Sequence, residues 1–243
     1  MEKITSLQNK KVKEWCALHQ KKQRDLTNQY LVEGKHLLQE AIKAKALECV
    51  LYVKENPFPD YPSYEVSQEV LNKVSMRQSD GDVIGICRRL EHQPTSNKRL
   101  LLLDEIQDPG NLGTLIRSAV SFQFDGIYLS EGCCDVYNEK VIQSTQGAFF
   151  HIPIVRMSLI DAIISLKKEG VKVIGTSLQE SLPMKQLERY DKMAFLLGNE
   201  GKGVSKELLT LTDQNVRIEM AGFESLNVAV AGGILMYQYQ EES

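Results

Sequence analysis

Two rhythms of apolar and polar positions run through the 243-residue chain. In the first 90 residues, Asn9 to Gln20 reads as a helix and QYLVEG (Gln29 to Gly34) as a strand that stops at a glycine. Lys35 to Lys45 follows as a helix, with Leu37, Leu38, Ala41 and Ile42 at helical spacing. CVLYV (Cys49 to Val53) is a strand, NPFPDYPS (Asn56 to Ser63) a loop forced by its prolines, and GDVIGICRRL (Gly81 to Leu90) a final strand.

The stretch EHQPTSNKR, residues 91 to 99, is polar, contains Pro94 and separates two apolar strand-like runs. It marks a boundary, giving a small α/β domain over 1–90, a linker over 91–99 and a larger domain over 100–243. In the larger part the alternation is regular. The predicted strands are LLLLDE, GIYLS, HIPIVR, VKVIGTS, KMAFLLG and NVRIEM. The predicted helices are Asn111 to Phe122, Glu139 to Gln146, Leu159 to Glu169, Val204 to Leu211 and Ser225 to Tyr239. Strands alternating with helices imply an α/β fold with a mostly parallel sheet covered on both faces. Such sheets take ligands at the carboxyl ends of their strands.

Composition changes little in this picture and excludes several classes. The apolar and charged fractions, 42% and 25%, are ordinary for a globular protein. No apolar run approaches the length of a membrane span, and MEKITSLQNKKVKEW has no apolar signal core, so a cytoplasmic protein without membrane association is expected. The cysteines (Cys16, Cys49, Cys87, Cys133, Cys134) lack zinc-knuckle or CxxC spacing and read as idle thiols. The histidines (His19, His36, His92, His151) are scattered, so no metal is expected. Net charge is −3, but residues 1–24 hold Lys3, Lys10, Lys11, Lys13, Lys21, Lys22 and Arg24 against Glu2 and Glu14. A second basic cluster is Arg88, Arg89, Lys98 and Arg99. Such patches can contact phosphates or be plain solvated faces.

Polar and glycine residues gather after strands in three segments. In LLLLDEIQDPGNLGTLIRSA, Pro109-Gly110 is a turn, Asn111 is a candidate helix cap and Arg117 lies in the helix. In FLLGNEGKGVS, three glycines in six residues, Gly198 to Gly203, let backbone approach a ligand closely. It is no P-loop, since Lys202 precedes Gly203 rather than Ser or Thr, and no GxGxxG fingerprint, since Lys206 stands where glycine is needed. In VRIEMAGFESLNVAVAGGILMY, Ser225 or Glu224 is a candidate cap, Asn227 falls in the first turn, and Ala229, Ala231, Gly232 and Gly233 make one helix side small. Each feature alone has a purely structural explanation: an ion-paired arginine, a tight turn, close helix packing.

Taken in order, the three segments resemble the SpoU family of RNA 2′-O-ribose methyltransferases over residues 100–243. ITSLQNKKVKEWCAL followed by YLVEGKHLLQEAI is similar to the small RNA-binding domain that precedes the catalytic domain in ribosomal-RNA members. The resemblance implies a deep trefoil knot, which periodicity does not show and which is otherwise nearly absent from proteins. It also implies a homodimer, S-adenosylmethionine as cofactor and RNA, most of all large-subunit ribosomal RNA, as substrate. Carried over residue by residue, the catalytic set is Asn111, Arg117, Glu200, Ser225 and Asn227. The cofactor loops are Thr176-Ser177, Leu197 to Gly201 and Ile218 to Leu226, with Thr176, Ser177, Leu197, Gly198, Asn199, Gly201, Ile218, Met220, Ser225 and Leu226 as contacts.

A guanidinium resists deprotonation, so Arg117 is expected to hold the neighbouring phosphate and stabilise the developing alkoxide rather than act as base. Asn227 and Ser225 would orient the ribose, and Glu200 would brace Arg117 or the loop. Where many relatives have proline this chain has Glu219, and only Phe223 and Glu224 separate Gly222 from Ser225. Two alternatives stand beside this reading: a tRNA 2′-O- or base methyltransferase, and a non-catalytic RNA-binding or ribosome-assembly protein on the same fold.

Overall fold

The computed structural model describes residues 3–75, 81–90, 94, 96–222 and 225–241. Its backbone forms two compact units, one of residues 1–91 with 135–150, the other of residues 92–134 with 151–243.

The first unit begins with α1 (Lys10–Ala17), capped by the Asn9 side chain, and α2 (Lys21–Thr27). The expected single helix over Asn9 to Gln20 ends early, and the chain turns at Leu18 to Gln20 before α2, which the pattern did not announce. Next come β1 (Gln29–Glu33), α3 (Lys35–Lys43), β2 (Leu47–Tyr52), β3 (Ser63–Glu65), α4 (Gln68–Val74) and β4 (Val83–Arg88). The sheet order is β1-β4-β2-β3, antiparallel except for the β2–β3 pair. Alternation decides the layers. Tyr30 and Val32 point to one face, against Leu37, Leu38 and Ala41 of α3, while Leu31 points to the other, with Val12 and Trp15 of α1 and Val70, Leu71 and Val74 of α4.

The second unit opens with β5 (Arg99–Leu103), α5 (Pro109–Ser121) and β6 (Gly126–Leu129). The chain then supplies α6 (Glu139–Thr145) to the first unit, where Ile142 and Phe150 complete the α3 face. The helix expected here is therefore present, but within the first unit. It continues with β7 (Ile154–Arg156), α7 (Leu159–Lys168), β8 (Lys172–Thr176), β9 (Leu182–Pro183), β10 (Met193–Leu197), α8 (Lys206–Leu211), β11 (Gln214–Arg217) and α9 (Val228–Tyr239). The sheet order is β7-β6-β5-β10-β8-β11-β9, parallel throughout. NVRIEM thus stops being strand at Arg217, because β9 pairs with β11 only through Val216 and Arg217.

β5 and β10 are buried along their whole length, as a strand covered on both faces must be. Leu100, Leu102, Ala194 and Leu196 pack with Ala162, Ile163 and Leu166 of α7 and Leu208 of α8. On the opposite face α9 lies against α5 and β10. Gly232 is where they meet: a Cβ there would come within 2.4 Å of Leu115 and 2.8 Å of Leu197. The small side of α9 is therefore a packing surface. The C-terminal end of α9 is held by Arg99, whose Nε donates to Tyr239 O at 2.7 Å, and by Arg189, which donates to Gln238 O and Gln240 O at 2.6 and 2.9 Å.

Candidate active site

The strand order switches between β5 and its neighbour β10, and it is at such a switch, beside the carboxyl ends of the strands, that parallel α/β sheets take ligands. From β5 comes the loop Asp104 to Asp108, and from β10 the loop Gly198 to Ser205. Gly198 is there for the chain itself, since a Cβ would sit 2.0 Å from the Val204 nitrogen. Asn199 exchanges backbone hydrogen bonds with Gly203, and its side chain shapes the rest. Oδ1 accepts from Gly201 N and Lys202 N at 3.0 and 3.1 Å, while Nδ2 donates to Glu105 O at 2.9 Å. Buried Asp104 accepts from Ser205 N at 3.0 Å. These bonds lock the two loops together.

Glu200 sits at the top of this lock. Its carboxylate accepts from Gln107 N (3.4 Å), Asp108 N (3.1 Å) and Asn111 Nδ2 (3.1 Å). Burial pushes its pKa up, but the hydrogen bonds from Asn111 and from the backbone of Glu200, Asp108 and Gln107 outweigh that and hold it below the ordinary carboxylate value. Asn111 Oδ1 in turn accepts from Asn227 Nδ2 at 2.9 Å. Asn227 Oδ1 accepts from Ala229 N and Val230 N at 2.9 and 3.3 Å, so Asn227 is the N-cap of α9 rather than a first-turn residue. Ser225 lies before the cap, and Glu224 lies outside the described residues. Among the described residues each amide oxygen has a partner and each amide nitrogen donates once, so Asn111 and Asn227 each keep one further N–H.

The expected cap at Asn111 belongs to Asp108, whose Oδ1 accepts from Asn111 N at 2.8 Å. Asp108-Pro109 is an N-cap followed by proline in the first turn, a signal present in the sequence. Arg117 is exposed on the α5 stripe of Gly110, Thr114 and Ser121. Among the described residues its guanidinium makes no hydrogen bond or ion pair, so Glu200 braces the loop and not Arg117. The structure thus brings Asn111, Glu200 and Asn227 together and leaves Arg117 and Ser225 unbonded to them.

The loops expected to hold the cofactor leave the same edge from three neighbouring parallel strands, β10, β8 and β11, with Leu196 beside Gly175 and Val216 beside Thr176. Leu197 O accepts from Asp104 N, Thr176 Oγ1 donates to Leu196 O, and Ser177 N donates to Val216 O. Among the described residues, no hydrogen bond uses the backbone of residues 219–222 or 225–226. Leu178 and Leu226 are exposed to 60% and 37%. Open backbone groups beside exposed apolar side chains suit an adenosine, which needs both. Among the described residues, no three His, Cys, Asp or Glu side chains are grouped to hold a metal, and no helix is long and apolar enough to cross a membrane.

A parallel α/β unit with polar residues converging at its strand switch, joined to a small α/β unit, defines a class of two-part enzymes. The chain belongs to the SpoU rRNA Methylase family, which it matches over residues 98–237. Residues 9–85 match the MRM3-like substrate binding domain. The chain is 40% identical to the 23S rRNA (guanosine(2553)-2'-O)-methyltransferase RlmP of Bacillus subtilis (strain 168), over 98% of each chain. A crystal structure of an AdoMet-bound rRNA methyltransferase from Sinorhizobium meliloti superposes with a TM-score of 0.89 at 30% identity, covering 98% of this chain and 96% of that one. The SpoU methyltransferase AviRb from Streptomyces viridochromogenes, in complex with AdoMet, shares the fold at a TM-score of 0.86 and 23% identity, over 95% and 97% of the two chains.

Proposed function

We propose that the protein transfers a methyl group from S-adenosylmethionine to a ribose 2′-hydroxyl of 23S ribosomal RNA, with its first unit as the part that binds RNA. The observation that carries this reading is the run Glu200–Asn111–Asn227, which ties three separate segments together at the carboxyl edge of the parallel sheet. When bound, S-adenosylmethionine supplies an electrophilic methyl on a sulfonium whose positive charge vanishes on transfer. The protein's part is then placement and electrostatics, and no metal is called for.

Asn111 and Asn227 present their free N–H groups to the ribose, and Ser225 assists from just before the α9 cap. Glu200 keeps both amides facing the crevice. Arg117, with an uncommitted guanidinium, holds the phosphate beside the target ribose and offsets charge on the developing alkoxide. Thr176, Ser177, Leu197, Gly198, Asn199, Gly201, Ile218, Met220, Ser225 and Leu226 form the cofactor cradle. Glu219 is exposed, so its charge is turned to solvent and the cradle can rest on backbone groups. We place α9 in a trefoil knot, the protein in the cytoplasm, and the working form as a homodimer. VAVAGGILMYQY is apolar almost all round. One side is used by α5 and β10, while Val230 and Tyr237 stay 51% and 63% exposed.

The deciding experiment uses purified protein, unmodified 23S rRNA and isotope-labelled S-adenosylmethionine, followed by nuclease digestion and mapping. A single 2′-O-methylguanosine at the position named for the Bacillus subtilis relative is expected. Label on a base or on tRNA, or no label at all, would overturn the reading in favour of the corresponding alternative.

A further inference from the structure

Arg156 ends β7, well away in sequence from the three motif segments, and its side chain is half-buried. Its guanidinium is surrounded by the carbonyls of one turn. Nη1 donates to Ser130 O (2.7 Å), Glu131 O (3.1 Å) and Cys133 O (3.0 Å), and Nη2 to Cys134 O (2.7 Å). A guanidinium carries five donors in a fixed plane, and here one side chain fixes four acceptors of the turn that follows β6. The carbonyls are thereby drawn inward, and the turn's other groups face the loop after β5.

Those groups grip the loop at consecutive residues. Ser130 Oγ accepts from Glu105 N at 2.8 Å, and Cys133 Sγ accepts from Ile106 N at 3.3 Å. Cys134 N donates to Ile106 O at 2.8 Å. Glu105 needs this grip, since it holds a left-handed φ of 54°, which side-chain-bearing residues adopt at some cost. The next two residues, Gln107 and Asp108, are held from the other side by Glu200. Asp108 caps α5, which carries Asn111 and Arg117.

We propose that Arg156 is a positioning residue for methyl transfer: it templates the 130–134 turn, and the turn sets the loop that places Asn111 and Arg117 at the crevice. This rests on the methyltransferase reading above. Lysine cannot take the role, because one ammonium does not span four carbonyls in a plane. The guanidinium and the 130–134 turn bond none of the loops assigned to the cofactor, which meet the 105–108 loop from its other side through Asn199 Nδ2 and Glu200, so the main effect falls on the chemical step rather than on cofactor affinity.

The test compares wild type, Arg156→Lys, Arg156→Ala and Ser130→Ala by three readouts: steady-state methylation of 23S rRNA, calorimetric binding of S-adenosylmethionine, and amide hydrogen exchange. The expected result for both Arg156 variants is a kcat lowered roughly tenfold or more, as small misplacements of reacting groups produce. KM and Kd for the cofactor stay within about twofold, and exchange quickens at Glu105 to Asp108 but not at Asn199 to Gly203. Ser130→Ala, which leaves the guanidinium cage intact, should shift kcat and the Glu105 amide in the same direction by less. An unchanged kcat, full activity in Arg156→Lys, or unchanged exchange at 105–108 overturns the inference. So does a cofactor affinity that falls in step with kcat, which marks a general loss of structure. If wild type itself transfers no methyl group, the methyltransferase reading has failed, and the exchange comparison still decides whether Arg156 sets the loop.

Discussion

Glu200 accepts from two loop amides and the Asn111 side chain. Its pKa lies below the ordinary carboxylate value, so its folded charge is worth stability at neutral pH. For a depressed carboxylate that stabilisation is complete above the unfolded pKa, about 4.3 for glutamate, and is lost as pH falls through the folded value. Glu200→Gln should therefore unfold at lower denaturant than wild type near pH 7, with the gap closing in strong acid. A gap that stays constant with pH would show that the charge does not matter. Arg117→Ala should fold normally, because among the described residues its guanidinium makes no hydrogen bond or ion pair, yet lose about 10²-fold in turnover as a removed charge stabiliser does. Near-normal turnover on 23S rRNA would remove Arg117 from the site. The thiols follow the opposite rule. Burial pushes Cys49 and Cys134 up to about 11, and Cys87 further, so few thiolates exist near neutral pH. Alkylation of the folded protein should be much slower than in denaturant, and fast labelling of Cys134 would contradict its environment. At this scale the sequence exposed residue identities but not directions. Asn111, Glu200 and Asn227 stood out by order, whereas the orientation of each amide depends on a partner about 90 or more residues away, as in the Asn111–Glu200 bond across 89 positions.

Elements were legible where their pattern was long and local. β5, α5, β10 and α9 all stand where their apolar runs lie, because burial on two faces or one stripe leaves a strong period. The pattern does not show α4, although Ser67 caps it by accepting from Val70 N, because seven residues after a proline-rich loop show too little period. β9 has two residues and exists only through its pairing with β11. α9 gives two predictions of its own. Gly232→Ala puts a methyl 2.4 Å from Leu115, and overpacking of this kind costs about 1–3 kcal/mol. At the far end, Arg99 binds the carbonyls of Lys98, Asp191 and Tyr239. Arg99→Ala should cost about 2–3 kcal/mol through lost charge-assisted bonds, read as a lower denaturation midpoint at constant m-value. Equal stability of either variant would mean that α9 is held by other contacts.

At the scale of the molecule, the two-unit division is where sequence order and space part company. Within residues 135–150, Glu139 to Gln146 reads as one more helix of the larger part, and its apolar pattern alone does not say which core it completes. Ile142 and Phe150 settle it by packing with α3 and β1, a non-local choice that no short-range pattern contains. The same kind of reasoning bears on assembly. α9 has more apolar surface than its own unit covers: Val230 and Tyr237 lie two turns apart on one stripe with half-buried Ile234 between them, and the Phe122 ring packs edge-on against Tyr237 with centroids 5.8 Å apart. A stripe of this kind, running along one helix and continuing onto the end of α5, suits an isologous contact in which the same helix of a second copy lies across it. Replacing Val230 by Asp places a charge at the N-terminal end of that stripe, while the backbone N–H of residue 230 can still donate to Asn227 Oδ1. Sedimentation of wild type should show a dimer, and Val230→Asp should raise its dissociation constant by roughly tenfold or more, as loss of an apolar contact plus burial of an unpaired charge does. Tyr237→Asp should act in the same sense, while Ile164→Asp, an exposed apolar residue on α7 across the sheet, should leave the dimer intact. A wild type that sediments as a monomer at every concentration, or a dimer broken by Ile164→Asp and not by Val230→Asp, would place the exposed face of α9 outside the assembly contact.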